Sequence, residues 1–160
     1  MSLKVLRLVI LMFLVSLAAC RPADQPTPEP PTPAPTTAAR SLFAAQELSR
    51  AQALLAPAVD RYGLQVEGPL LAPDDVGAEV AFGLRHPDEQ LLASVYVFEE
   101  ASRHAQALDQ LVAALPPGAQ QPLWSSNGGL LLLVALTADA DPAALTLIQS
   151  ELLASLAGAQ

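Results

Sequence analysis

Seven prolines stand between Arg21 and Arg40, in RPADQPTPEPPTPAPTTAAR, and the tract holds no aromatic residue and no aliphatic side chain larger than alanine. Such a segment cannot bury enough apolar surface to offset the entropy lost on ordering, so it joins no core. Proline at nearly every second position favours polyproline II, a semi-rigid spacer that reaches at most ~60 Å at about 3.1 Å per residue. The alternative role, as ligand for a PxxP-binding groove, is less favoured because such motifs usually carry basic flanks. Thr27, Thr32, Thr36 and Thr37 also offer hydroxyls to sugars. Whatever folds therefore lies beyond about residue 40, in roughly 120 residues that suffice for one hydrophobic core and no second domain.

Ahead of the tract the chain reads MSLKVLRLVILMFLVSLAAC, with Lys4 and Arg7 followed by an apolar run from Leu8 to Ala19 that only Ser16 interrupts. A positive start and a run of 12 residues have the layout of a secretory signal, well short of the roughly 20 that span a bilayer. The run closes on Leu17-Ala18-Ala19-Cys20, and Cys20 is the only cysteine of the chain. These residues resemble the lipobox of bacterial lipoproteins, a resemblance confined to the first 20 residues. It implies transfer of diacylglycerol to the Cys20 sulfur, cleavage between Ala19 and Cys20 and, in many bacteria, acylation of the new amino group. The bilayer is then the first partner, through acylated Cys20. Several acyl chains hold lastingly because each buried methylene contributes about 0.8 kcal/mol, whereas one chain holds only marginally. Ordinary signal cleavage after Cys20, which would release the protein, is the competing reading, since Ala18 and Cys20 are small enough for it. Arg21 is compatible with either membrane of a two-membrane cell. The expected organisation is a signal peptide over residues 1–19, a lipidated cysteine and stalk over 20–40, and a small domain over 41–160.

Removal of residues 1–19 takes away Lys4 and Arg7 and leaves six arginines and no lysine against sixteen acidic residues, ten negative charges in excess. Nucleic acid, which is bound by clustered cations that displace counterions, is excluded as a partner on this balance. One cysteine permits no internal disulfide, so packing alone must hold the domain. The 52% apolar content is mostly alanine and leucine spread along the chain and forms no further long span.

Within the domain, Ser41 reads as an N-cap, with Leu42, Ala45, Leu48, Gln52, Leu55 and Val59 at near-helical spacing, Pro57 as a kink or break and Gly63 as the end. A short strand and loop are expected over LQVEGPLLAPDD. Alternation in GAEVAFGLRHPDEQLLASVYVF predicts a β-hairpin, and EEASRHAQALDQLVAAL then shifts to helical period until Pro116-Pro117-Gly118. PLW, SSNGG and LLLLVALT predict a second hairpin. Asp141 as N-cap, Pro142 as first helical residue and Gly158 as terminator frame a last helix that presents Leu145, Ile148, Leu152 and Leu156. Helix, then hairpin and helix twice, is an α+β pattern: a two-layer antiparallel sheet with its helices on one face. YVFEEASRHAQAL and WSSNGGLLLLVAL resemble, in a general way, C-terminal domains of uncharacterised bacterial lipoproteins, a likeness that implies no activity.

The chemical inventory is thin. A lipidated Cys20 leaves no free thiol, and without lysine there is neither a Schiff base nor a phosphate-binding Walker lysine. His104 follows Glu100 by four residues, but no third metal ligand stands at a recognisable spacing, and a solvated helix pair is the simpler reading. His86, Asp88 and Glu89 read as turn residues. Neither Asp74-Asp75 with Glu79 nor Asp139 with Asp141 has the alternate-acid spacing of a calcium loop. Asn127-Gly128-Gly129 precedes a strand where a phosphate cradle needs a helix, so it reads as a turn. Trp124, the sole tryptophan, reads as a lid on the sheet's edge before a cleft or interface residue. No catalytic residue, metal ligand or cofactor is expected. The sequence points to an envelope lipoprotein that presents a non-catalytic domain to an unknown protein or small molecule. A structural subunit of an envelope complex is the alternative, and a carboxylate-dependent hydrolase built on Glu99 and Glu100 ranks last because adjacent helical side chains point apart.

Overall fold

A computed structural model describes residues 37–158 apart from Glu89. The signal segment, the lipobox residues Ala19 and Cys20, and the tract up to residue 36 lie outside the described residues.

Helix α1 runs Thr37–Tyr62, so the four residues before Ser41 that the sequence assigns to the stalk form its first turn. The last proline before it is Pro35, and Ala38-Ala39 favour helix, which lets it start early. Ser41 is accordingly an interior residue and no N-cap: its hydroxyl donates back to the Ala38 carbonyl at 2.9 Å. The helix also continues through Pro57, which is exposed, although proline there removes a hydrogen bond and crowds the carbonyl of the preceding turn. Its packed stripe is Ala51, Leu55 and Ala58, while Leu42, expected on that face, is 73% exposed.

Five antiparallel strands follow the order β1-β2-β3-β5-β4: β1 Gln65–Glu67, β2 Val80–Arg85, β3 Leu91–Val97, β4 Gln120–Asn127 and β5 Leu130–Leu136. Between β1 and β2 lies a one-turn helix, α2 (Pro73–Val76), which the weak signals of that stretch do not predict. Both hairpins form as expected. The first pairs Val80 with Val97 through Arg85 with Leu92, and the second closes on Gly128-Gly129 with Asn127 opposite Leu130. Gly128 takes φ +61°, which the tight turn requires and glycine adopts freely. Since β5 separates β3 from β4, those two run parallel and need a crossover. The crossover contains a 3₁₀ turn (Ala101–Arg103) and α3 (His104–Ala113). The last helix, α4 (Pro142–Ala157), is capped as its sequence predicts: the Ala143 N–H donates to the Asp141 carboxylate at 3.0 Å, and Gly158 ends it at φ +71°.

The chain is thus α+β, with helices packed on an antiparallel sheet. The placing of all helices on one face needs correction. α1 and α4 cover Leu130, Leu132, Val134 and Leu136 together with Val95 and Val97, whereas α3 and α2 cover Tyr96, Phe98, Leu131 and Leu133 on the opposite side. The reason lies in β5, LLLLVAL, which is buried at all seven positions; a strand apolar on both faces needs cover on both. Among the described residues no helix is long and apolar enough to cross a membrane.

Candidate functional site

The α3 side of the sheet is held together by two buried hydroxyls. Ser94 Oγ accepts from the Leu70 N–H at 3.0 Å; Tyr96 Oη accepts from the Leu71 N–H at 2.9 Å and donates to the Leu71 carbonyl at 3.1 Å. These bonds strap the loop after β1 onto β3, and burial raises the Tyr96 phenol above its ordinary value. Ala107 and Leu111 seat α3 over Tyr96, Phe98, Leu131 and Leu133. The helix has only ten residues, and cover stops short of the edge strand β4.

Trp124 stands on the uncovered strip. It lies opposite Leu133, which puts it on the α3 face, and it is 55% exposed. Two residues on, Ser126 lies opposite Leu131 and faces the same way. Between this strip and the flank of α3 is a groove of about 450 Å³, with Leu108 and Leu131 as apolar wall and Ser102, His104, Asp109 and Ser126 as its polar groups. The volume falls in the range of small-molecule sites, roughly 300–1,000 Å³. Leu123 is 43% exposed on the other face of β4, so the edge strand is apolar on both sides; Pro122 and a register shift between Gln120 and Leu123 interrupt its pairing edge. The hairpin end is pinned from behind: Arg50 donates to the Asn127 side-chain oxygen at 2.7 Å and Asn127 Nδ2 donates to the Leu156 carbonyl at 2.8 Å. The wall that carries Trp124 is therefore tied to α1 and α4.

His104 is the unusual member. Its ring meets Phe98 edge-on, with centroids 5.1 Å apart, and its Nε2 is buried without a hydrogen-bond partner. Burial lowers its pKa below the usual 6.5, opposed in part by the Gly129 backbone, so the imidazole is neutral at pH 7. An unmet buried polar atom costs about 1–3 kcal/mol.

The other residues singled out from sequence are dispersed. Glu100 accepts from the Ser102 hydroxyl at 3.2 Å, and Glu99 pairs with Arg40 at 3.3 Å; neither lines the groove with His104. Asp88 donates its N–H to His86 Nδ1 at 3.3 Å in the first hairpin turn, and Glu89 lies outside the described residues. Asp74 and Asp75 occupy the first turn of α2, and Asp141 caps α4. Among the described residues no cluster of three or more His, Cys, Asp or Glu side chains is placed to hold a metal. Sequence reasoning names Trp124 and His104 separately and misses that they line one groove, as well as Leu108, Asp109 and Ser126; the alternation of Trp124 with Ser126 was the available signal. No protein-family model, curated protein or solved structure matches the chain.

Proposed function

We propose that the protein is a bacterial envelope lipoprotein, anchored outside the cytoplasm through acylated Cys20, whose domain is a non-catalytic binding module with its contact site in the groove between α3 and β4. The observation that carries the binding role is a half-exposed tryptophan lining a groove of about 450 Å³, on a strand fixed from behind. The anchor rests on the likeness of Leu17-Ala18-Ala19-Cys20 to a lipobox and on the proline tract that follows it. A tether of that kind keeps a strongly acidic domain close to a membrane.

Hydrolysis by paired carboxylates has less support. Among the described residues lining the groove Asp109 is the one carboxylate, and Glu99 is engaged by Arg40. Detergent phase partition and intact mass measurement test the anchor: the mature chain enters the detergent phase with Cys20 carrying diacylglycerol, and Cys20→Ser moves it to the aqueous phase. An unmodified thiol on a membrane-retained chain overturns the anchor.

A further inference from the structure

The groove carries a charge pattern that narrows its ligand, an inference that rests on reading the groove as the binding site. Asp109 lines it, and among the described residues lining it there is no Lys or Arg. Glu100, hydrogen-bonded to Ser102, lines a different hollow together with Arg40 and Arg103. The exposed indole of Trp124 offers a π-face, the aromatic surface that attracts cations most strongly. His104 borders the groove as a neutral imidazole whose Nε2 is closed to solvent. Leu108 and Leu131 supply apolar contact for the rest of the ligand. Carboxylate and π-face both favour positive charge, and the excess of acidic residues over the whole chain adds to the field.

We propose that the groove between α3 and β4 binds a small organic ammonium ion carried on an apolar body, the cation held between Trp124 and Asp109. Recognition of this kind discriminates by charge more than by size. The larger hollow of about 520 Å³ beside Arg40, Ala44 and Leu48 has an arginine in its wall and no aromatic side chain, so it does not compete for such a ligand.

Because Trp124 is the only tryptophan, its fluorescence reports on this groove alone. The full mature lipoprotein in detergent micelles is titrated with phenylethylammonium, neutral 2-phenylethanol and anionic 3-phenylpropionate, with calorimetry in parallel. Saturable binding of the ammonium about tenfold tighter than the alcohol, with no saturation by the anion, is expected; a cation–π contact at a half-exposed ring together with one carboxylate accounts for a ratio of that order. Asp109→Asn, at an exposed position of α3, is expected to bring the ammonium-to-alcohol ratio below about threefold and to leave the denaturation midpoint unchanged. Equal or tighter binding of the alcohol or the anion overturns the ligand class while leaving the groove as a binding site. Absence of saturation by all three overturns the proposal too, and the anchor is judged separately by the mass of Cys20. An unchanged ratio in Asp109→Asn overturns the role given to the carboxylate.

Discussion

On the side of the sheet that carries α1 and α4, Leu130, Leu132, Val134 and Leu136 are shut off from solvent, whereas on the α3 side cover ends at β5 and leaves Trp124 clear on β4. The two faces use different means. The closed face is apolar layer against apolar layer, with alanines at 51 and 58 seated in the core and Glu151 of α4 bound by Arg61 and Tyr62 of α1 at its rim. The open face combines a smaller apolar cluster with hydroxyl bonds from Ser94 and Tyr96 and keeps an unpartnered nitrogen at His104. The larger apolar cluster lies under α1 and α4, and the exposed tryptophan and carboxylate lie where cover is thin. Trp124 and Asp109 are not among the buried residues that hold the fold, although Leu131 of the same groove is, so substitutions at those two should separate from substitutions in the core.

The widest separation is between one leucine and the tryptophan. Leu132, fully buried under α1 and α4, leaves a cavity when shortened, and Leu132→Ala should cost about 2–5 kcal/mol in urea denaturation. Trp124→Ala removes a larger side chain yet should cost no more than about 1 kcal/mol, because over half of it already meets water. Comparable losses for the two would mean that Trp124 is a core residue and the open face is not open. Next in size is Tyr96→Phe, which keeps the ring and removes the hydroxyl that serves both the N–H and the carbonyl of Leu71. A loss of about 1–3 kcal/mol is expected, with faster amide exchange at Leu71 and no change at β5. An unaltered exchange rate at Leu71 would show that the loop is held by something else.

How far these two faces can be read from sequence depends on which kind of signal each leaves. Period-two alternation and turn chemistry mark both hairpins, and Asp141, Pro142 and Gly158 mark the bounds of α4, because each is a local steric or capping requirement. The covering of both sheet faces is written in LLLLVAL as well, but a run apolar at every position has no periodicity with which to assign a face, so α3 is misplaced when helices are put on one side. α1 misleads for a related reason: Ala51 and Ala58 contact the core through their small size, and a hydrophobic stripe drawn through Leu42 passes them by. The groove is the least legible part. His104 and Trp124 are 20 positions apart and line one groove only because β5 inserts between β3 and β4, a matter of strand order that no local pattern encodes.

The smallest effect concerns protons, and it separates the faces by pH. Burial holds His104 below its usual 6.5, so between that value and its lower native one the unfolded chain takes a proton that the folded chain refuses. Stability on this account is complete above 6.5 and declines as pH falls through the interval beneath it. Glu151, on the closed face, is lowered chiefly by the hydrogen bond from Tyr62 and then by Arg61, and its contribution begins to fall away only below its usual 4.5. Two carriers with separate onsets are thus expected, the open face losing stability first. Denaturation midpoints measured at pH 7.5, 6.0, 5.0 and 3.5 should drift downward in the wild type and, between 7.5 and 5.0, stay level in His104→Leu, while Tyr62→Phe, which takes away the hydroxyl bound to Glu151, should leave the upper interval as it is and flatten the decline below 4.5. Parallel drift of wild type and His104→Leu between pH 7.5 and 5.0 would place the titrating group elsewhere.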